Sequence, residues 1–122
     1  MYLSEVFKAL GDETRLRIVN LLSKEELCVC QIIEALRVSQ PNASKHLNRL
    51  RYAGVIHCRK ISQWCFYRIS DQFMENNAEL MEFVLKKCQS HKVYTEDKHR
   101  LECAIKEAGC CERQIREYKQ SM

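Results

Sequence analysis

Proline occurs once and glycine three times among 122 residues, too few for an architecture of many tight turns, and this predicts a mostly helical chain. No apolar run approaches the roughly 20 residues that a membrane-spanning helix needs. Met1 to Glu5 has neither a basic region nor an apolar stretch, so no secretory signal is expected. These absences predict a cytoplasmic protein with reduced thiols and no membrane partner. Catalytic patterns are missing as well. There is no Cys-x-x-Cys spacing and no Ser/His/Asp or paired-carboxylate constellation, so an enzyme is not expected. Between Val38 and Ser70 there is no Asp or Glu at all.

What is present is 46% apolar and 30% charged, the balance of a folded chain with one core. The net charge of +4 is mild because the acids gather before residue 35 and after residue 70. In a reducing compartment the eight cysteines read as metal or metalloid ligands, redox sensors or core filler, not as a disulfide framework. An isolated free cysteine is ordinarily buried packing, so clustered ones carry the functional signal.

Ser4 to Leu10 reads as a first helix stopped by Gly11, and Asp12 caps a second helix to about Leu22. Cys28 to Leu36 follows the same period through Ile32, Ile33 and Leu36, so Glu26-Leu27-Cys28-Val29-Cys30 is expected to open a helix. Arg37-Val38-Ser39 forms a turn, and Ser39 caps a helix to Tyr52 that carries Pro41 in its first turn. Ala43, Leu47 and Leu50 face inward. Two helices joined by about three residues form a helix-turn-helix. The outward face is expected to hold Gln40, Asn42, Ser44, Lys45, His46, Asn48, Arg49 and Arg51, with Ser39 at its start. Cations there grip phosphates and amides read base edges. A plain solvated face is the alternative, and the lack of acids favours double-stranded DNA.

After Gly54 the period becomes two. Val55 to Lys60 and Gln63 to Ile69 read as two strands around a turn near Ile61-Ser62, a wing that offers Arg59 and Lys60 to phosphate. That register sets Cys58 directly opposite Cys65 and puts Ile56, Cys58, Cys65, Tyr67 and Ile69 on one inward face. Asp71 is expected to cap a helix to about Cys88. Its apolar surface, with that of the first helix, exceeds what one small domain covers and predicts a homodimer. Tyr94 to Tyr118 reads as a helix broken near Gly109. The expected fold is mainly α (α+β), a winged helix-turn-helix with a two-stranded wing. Residues 1–92 form the DNA-binding and dimerisation domain, and residues 93–122 a cysteine-containing helical extension.

Residues from about Phe7 to Ile69 resemble the ArsR/SmtB family of metal-sensing winged-helix repressors. The resemblance rests on Phe7-Lys8-Ala9-Leu10-Gly11-Asp12-Glu13-Thr14-Arg15-Leu16-Arg17-Ile18, on Glu26-Leu27-Cys28-Val29-Cys30, on Ser39-Gln40-Pro41-Asn42-Ala43-Ser44-Lys45-His46-Leu47 and on Trp64-Cys65-Phe66-Tyr67-Arg68-Ile69. It implies a homodimeric repressor that holds its operator when apo and releases it when an inducer binds. The Glu-Leu-Cys-Val-Cys element is similar to that of the arsenical and cadmium/lead branches. The chain also departs from the family pattern. The arsenic branch's third cysteine falls at Ile33, the cadmium branch's N-terminal cysteines are missing, and Asp71 is followed by Gln72-Phe73 where the zinc branch has Asp-x-His.

Residues two apart on a helix lie about 200° apart, so joint ligation by Cys28 and Cys30 needs a first turn that unwinds or starts later. A break at Gly109 would bring Cys103, Cys110 and Cys111 together, and this cluster is read either as a metalloid site of its own or as the source of a third sulfur for Cys28 and Cys30. The expected inducer is trivalent arsenic, as arsenite or an organoarsenical, or Sb(III), with no obligatory cofactor. Two other readings stay open. One is a redox sensor that uses a Cys58–Cys65 disulfide, and the other is a Cd, Pb or Zn sensor.

Overall fold

The computed structural model describes residues 3–106. The expected cysteines Cys110 and Cys111, and the break at Gly109, lie outside the described residues.

Helix α1 (Leu3–Leu10) leads into α2 (Glu13–Leu22), whose N-cap Asp12 accepts from the Arg15 N–H at 3.1 Å. Strand β1 is only Leu27–Cys28, and α3 (Val29–Leu36) follows it directly. The sequence expectation that Glu26 to Cys30 open a helix is therefore corrected: only Val29 and Cys30 of the five are helical. Leu27 and Cys28 are extended, pairing with Tyr67 and Phe66, and α3 starts one residue later. Strand pairing satisfies backbone groups that a further helical turn would otherwise occupy.

Arg37 adopts the left-handed conformation at φ 57 and closes α3. Ser39 then caps α4 (Gln40–Tyr52), accepting from the Asn42 N–H at 3.3 Å, with Pro41 in the first turn. Gly54 at φ 78 turns the chain out of α4 into β2 (Ile56–Ile61). The hairpin closes on β3 (Trp64–Ile69) through Ser62-Gln63, with Ser62 at φ 57.

The wing register differs from the expected one by two residues. Cys58 faces Tyr67, and Cys65 faces Lys60, so the two cysteines are not directly opposite. A two-residue slip leaves side-chain parity unchanged, so Ile56, Cys58, Cys65, Tyr67 and Ile69 still share one face. The sheet has three strands in the order β1-β3-β2, one more than the expected wing.

Ser70, not Asp71, caps the next helix by accepting from the Phe73 N–H at 3.3 Å. That helix is broken at Asn77 into α5 (Asp71–Asn76) and α6 (Ala78–Gln89). Helix α7 (Lys92–Lys106) packs back on α2, α3 and α6. Its Leu101 joins Ile18, Ile32, Leu47 and Phe73 in one core.

Candidate nucleic-acid interface and thiol sites

The second helix of the helix-turn-helix, α4, buries Ala43, Leu47 and Leu50 and turns a polar face outward. Ser39, Gln40, Lys45, Asn48 and Arg51 are exposed, while Asn42, Ser44 and Arg49 are half-buried at its margins. Tyr52, 87% exposed at the end of the same helix, was not singled out from the sequence. No acid lies on this helix, so its face is cationic and amide-rich.

His46 is the exception. It was expected on the outward face but is 8% exposed. Positions 43, 46, 47 and 50 fall on one side of a 3.6-residue period, so His46 belongs to the inward stripe. Its Nδ1 lies 3.1 Å from the Arg15 guanidinium and 3.7 Å from Asp12, both on or beside α2. Burial lowers its pKa below the ordinary 6.5. Arg15 and Lys45 add to that effect, against the opposite pull of Asp12. His46 thus ties the recognition helix to α2.

On the wing, Lys60 is exposed, and Arg59 donates to Glu26 at 3.1 Å. Glu26 immediately precedes β1, so the wing cation is held by the segment that carries Cys28.

Alternation along β3 separates the thiols into two pairs. Cys28 is buried and Cys30 half-buried in a small cluster with Phe66, Trp64 and Ile61 on one face of the sheet. Cys58 and Cys65 lie on the other face, against the main core. Cys28 also occupies the N-cap position of α3, where its N–H donates to the Gln31 side chain at 3.1 Å. Its extended backbone at φ −84 and ψ 163 removes the geometric obstacle of two thiols on opposite sides of one helix.

Cys58 lies beside Cys65 and the Tyr67 hydroxyl. Burial and the neighbouring thiol push the Cys58 pKa up, with Arg51 pulling down. Burial, then the two thiols, push Tyr67 up to about 12. Cys88 is a buried thiol raised by burial. Cys103, half-buried on α7, has its Sγ 3.8 Å from His99 Nε2. Among the described residues no group of three or more His, Cys, Asp or Glu is placed to hold a metal ion.

The carboxylate of Asp97 went unnoticed in the sequence. It is fully buried on α7 and accepts from Arg17 at 2.8 Å and from Arg100 at 2.6 Å. The same two guanidinium groups donate to the last carbonyls of α3, Arg17 to Leu36 at 3.0 Å and Arg100 to Ala35 at 2.6 Å. Those carbonyls have no partner within their helix. The signal was available, since Asp97 sits four residues before Leu101 on the apolar stripe of α7.

A helix-turn-helix with an acid-free reading helix and a hairpin beside it defines a winged helix-turn-helix regulator of DNA. The family described as "Bacterial regulatory protein, arsR family" matches residues 12–57. An HTH-type transcriptional regulator of Methanocaldococcus jannaschii is 44% identical over 80 residues, 65% of this chain and 90% of that protein. The arsenical resistance operon repressor of Escherichia coli is 43% identical over 90 residues, 73% of this chain and 76% of that one. A homodimeric winged helix-turn-helix DNA-binding domain from Mycobacterium bovis superposes with a TM-score of 0.62. It is 30% identical, over 73% of this chain and 80% of that one. The chain belongs to the ArsR family of DNA-binding transcriptional regulators. No helix among the described residues is long and apolar enough to cross a membrane.

Proposed function

We propose that this protein is a homodimeric repressor that binds operator DNA when apo and releases it when Cys28 and Cys30 take up a thiophilic metalloid, As(III) or Sb(III). The observation that carries this reading is the position of Cys28. It is at once the partner of Phe66 on the wing strand and the N-cap of the first helix of the helix-turn-helix. Soft thiolates select soft ions. Drawing Cys28 and Cys30 onto one atom strains both the β1–β3 pairing and the first turn of α3. It also shifts Glu26, which holds Arg59.

The DNA-binding set is Ser39, Gln40, Asn42, Ser44, Lys45, Asn48 and Arg49 on the reading helix, with Arg59 and Lys60 on the wing. His46 supports the helix from behind. Two thiols leave a trivalent centre one ligand short. Cys103 is not grouped with Cys28 and Cys30 among the described residues, so that ligand comes from Cys110 or Cys111, or from Cys103 only if the ion draws it in. The arsenical-resistance role of the Escherichia coli relative agrees with this effector class. The homodimeric Mycobacterium bovis domain agrees with the assembly. Phe7 on α1 and Phe83 on α6 are 54% and 60% exposed, as a second subunit requires.

The test is a gel shift of the reduced protein on its upstream DNA with arsenite, antimonite, cadmium and zinc. Release by arsenite or antimonite at lower concentration than by cadmium or zinc is expected. Release only by peroxide or disulfide would replace the metalloid with a redox signal.

A further inference from the structure

On the sheet face away from Cys28 and Cys30, two further thiols meet. Cys58 is paired with Tyr67 and Cys65 with Lys60, so the cysteines are diagonal neighbours on one face. Both are half-buried, and Cys58 lies against Cys65 and the Tyr67 hydroxyl. Cys58 also lines a cleft of about 290 Å³ between the recognition helix and β2, walled by Asn48, Arg51 and Tyr52.

We propose that Cys58 and Cys65 form a second thiol site, which captures a mono-substituted trivalent arsenical with its organic group in the cleft beside α4. Diagonal partners on an antiparallel pair have Cα atoms roughly 7–8 Å apart. That is at or beyond the roughly 7 Å limit for a disulfide without backbone movement. A bridging atom reaches further, because two bonds of about 2.3 Å, the length of a metal–thiolate bond, replace one S–S bond of about 2 Å.

Coordination number selects the ligand. No third His, Cys, Asp or Glu among the described residues joins the pair in a metal-holding group. Zinc-like ions take four ligands, and inorganic arsenite has three exchangeable positions. An arsenical R–As(OH)₂ has two. In the reaction both As–O bonds break and two As–S bonds form. Each hydroxide leaves as water with one thiol proton, arsenic stays trivalent, and no oxidant or reductant is consumed. The retained substituent needs room next to the sulfurs, and the cleft supplies it. The site lies on the opposite face of the sheet from Cys28 and Cys30 and does not depend on their role.

The experiment is native mass spectrometry of the reduced full chain titrated with phenylarsine oxide, comparing wild type with Cys58→Ser and Cys65→Ser. Each substitution is expected to remove the same one phenylarsenic adduct, and the double variant to lose no more than one. In the loaded wild-type chain Cys58 and Cys65 are expected to resist iodoacetamide together, a reading that does not depend on any variant folding. Unchanged adduct numbers in both variants, or unimpeded alkylation of Cys58 in the loaded wild type, overturn the proposal.

Discussion

Both carboxylate oxygens of Asp97 accept from the Arg17 guanidinium at 2.8 Å, joining residues 80 positions apart. Arg100 donates to the same carboxylate, and both arginines reach the end of α3 at Leu36 and Ala35. The hydrogen bond to Asp97 is the largest cause of the raised Arg17 pKa. Helix α7 is thereby fastened to the residues that lead into the Arg37-Val38-Ser39 turn. Removing Asp97 leaves two partly buried cations against each other. Loss of one partner of a buried pair costs about 3–5 kcal/mol. Asp97→Ala is expected to lower unfolding stability by about 3 kcal/mol or more in urea titrations, and a loss below about 1 kcal/mol would contradict the arrangement.

Much of the fold was legible because local rules decided it. Asp12 and Ser39 as caps, Pro41 in a first turn and Ala43, Leu47 and Leu50 on one stripe all follow from short-range chemistry. The misses arose where distant partners decide. Cys28 continues the helical period, yet Phe66 claims it for a strand. Ser62 takes a left-handed conformation that sequence rules assign to Gly or Asn, so the turn was placed one residue early and the register two residues off. His46 was counted among the polar outward residues because its type outweighed its position. The place of Asp97 on the apolar stripe of α7 is readable, but its partner Arg17 is not, because it belongs to another helix.

His46 predicts a pH dependence. Its folded-state pKa lies below the ordinary 6.5, so the unfolded chain takes up this proton at higher pH than the native one. Its contribution to stability is therefore complete above about 6.5 and falls as pH drops below that value. The charged groups facing it are Asp12, Arg15 and Lys45. His46→Gln is expected to flatten the decline in melting temperature between neutral and mildly acidic pH, relative to wild type. Identical slopes in the two proteins would rule out His46 as the source.

Lys45 is exposed on α4 with no acid on that helix. Lys45→Ala is expected to weaken operator binding in fluorescence anisotropy and to reduce the salt slope, log K against log salt, by about 1. Arsenite affinity, measured separately on the DNA-free protein, is expected to stay unchanged. A variant with the wild-type salt slope would remove Lys45 from the phosphate contacts.

Phe7 and Phe83 are large apolar side chains exposed on separate helices. Phe83→Glu is expected to shift the protein from dimer to monomer in sedimentation equilibrium and to weaken operator binding by at least tenfold. A charge introduced at a buried interface centre costs several kcal/mol. A variant that sediments as the wild-type dimer would place the interface elsewhere.

The most direct test of the account is arsenite titration of the preformed operator complex, read by anisotropy, with wild type and Cys28→Ser/Cys30→Ser compared under reducing conditions. The serine pair keeps the size of both side chains, so operator affinity without arsenite is expected to stay within about threefold of wild type, or 0.65 kcal/mol at most by the relation of free energy to affinity. Wild type is expected to release the DNA, and the variant to hold it at every arsenite concentration that frees wild type. Release of both proteins at the same arsenite concentration would contradict the assignment of the switch to Cys28 and Cys30.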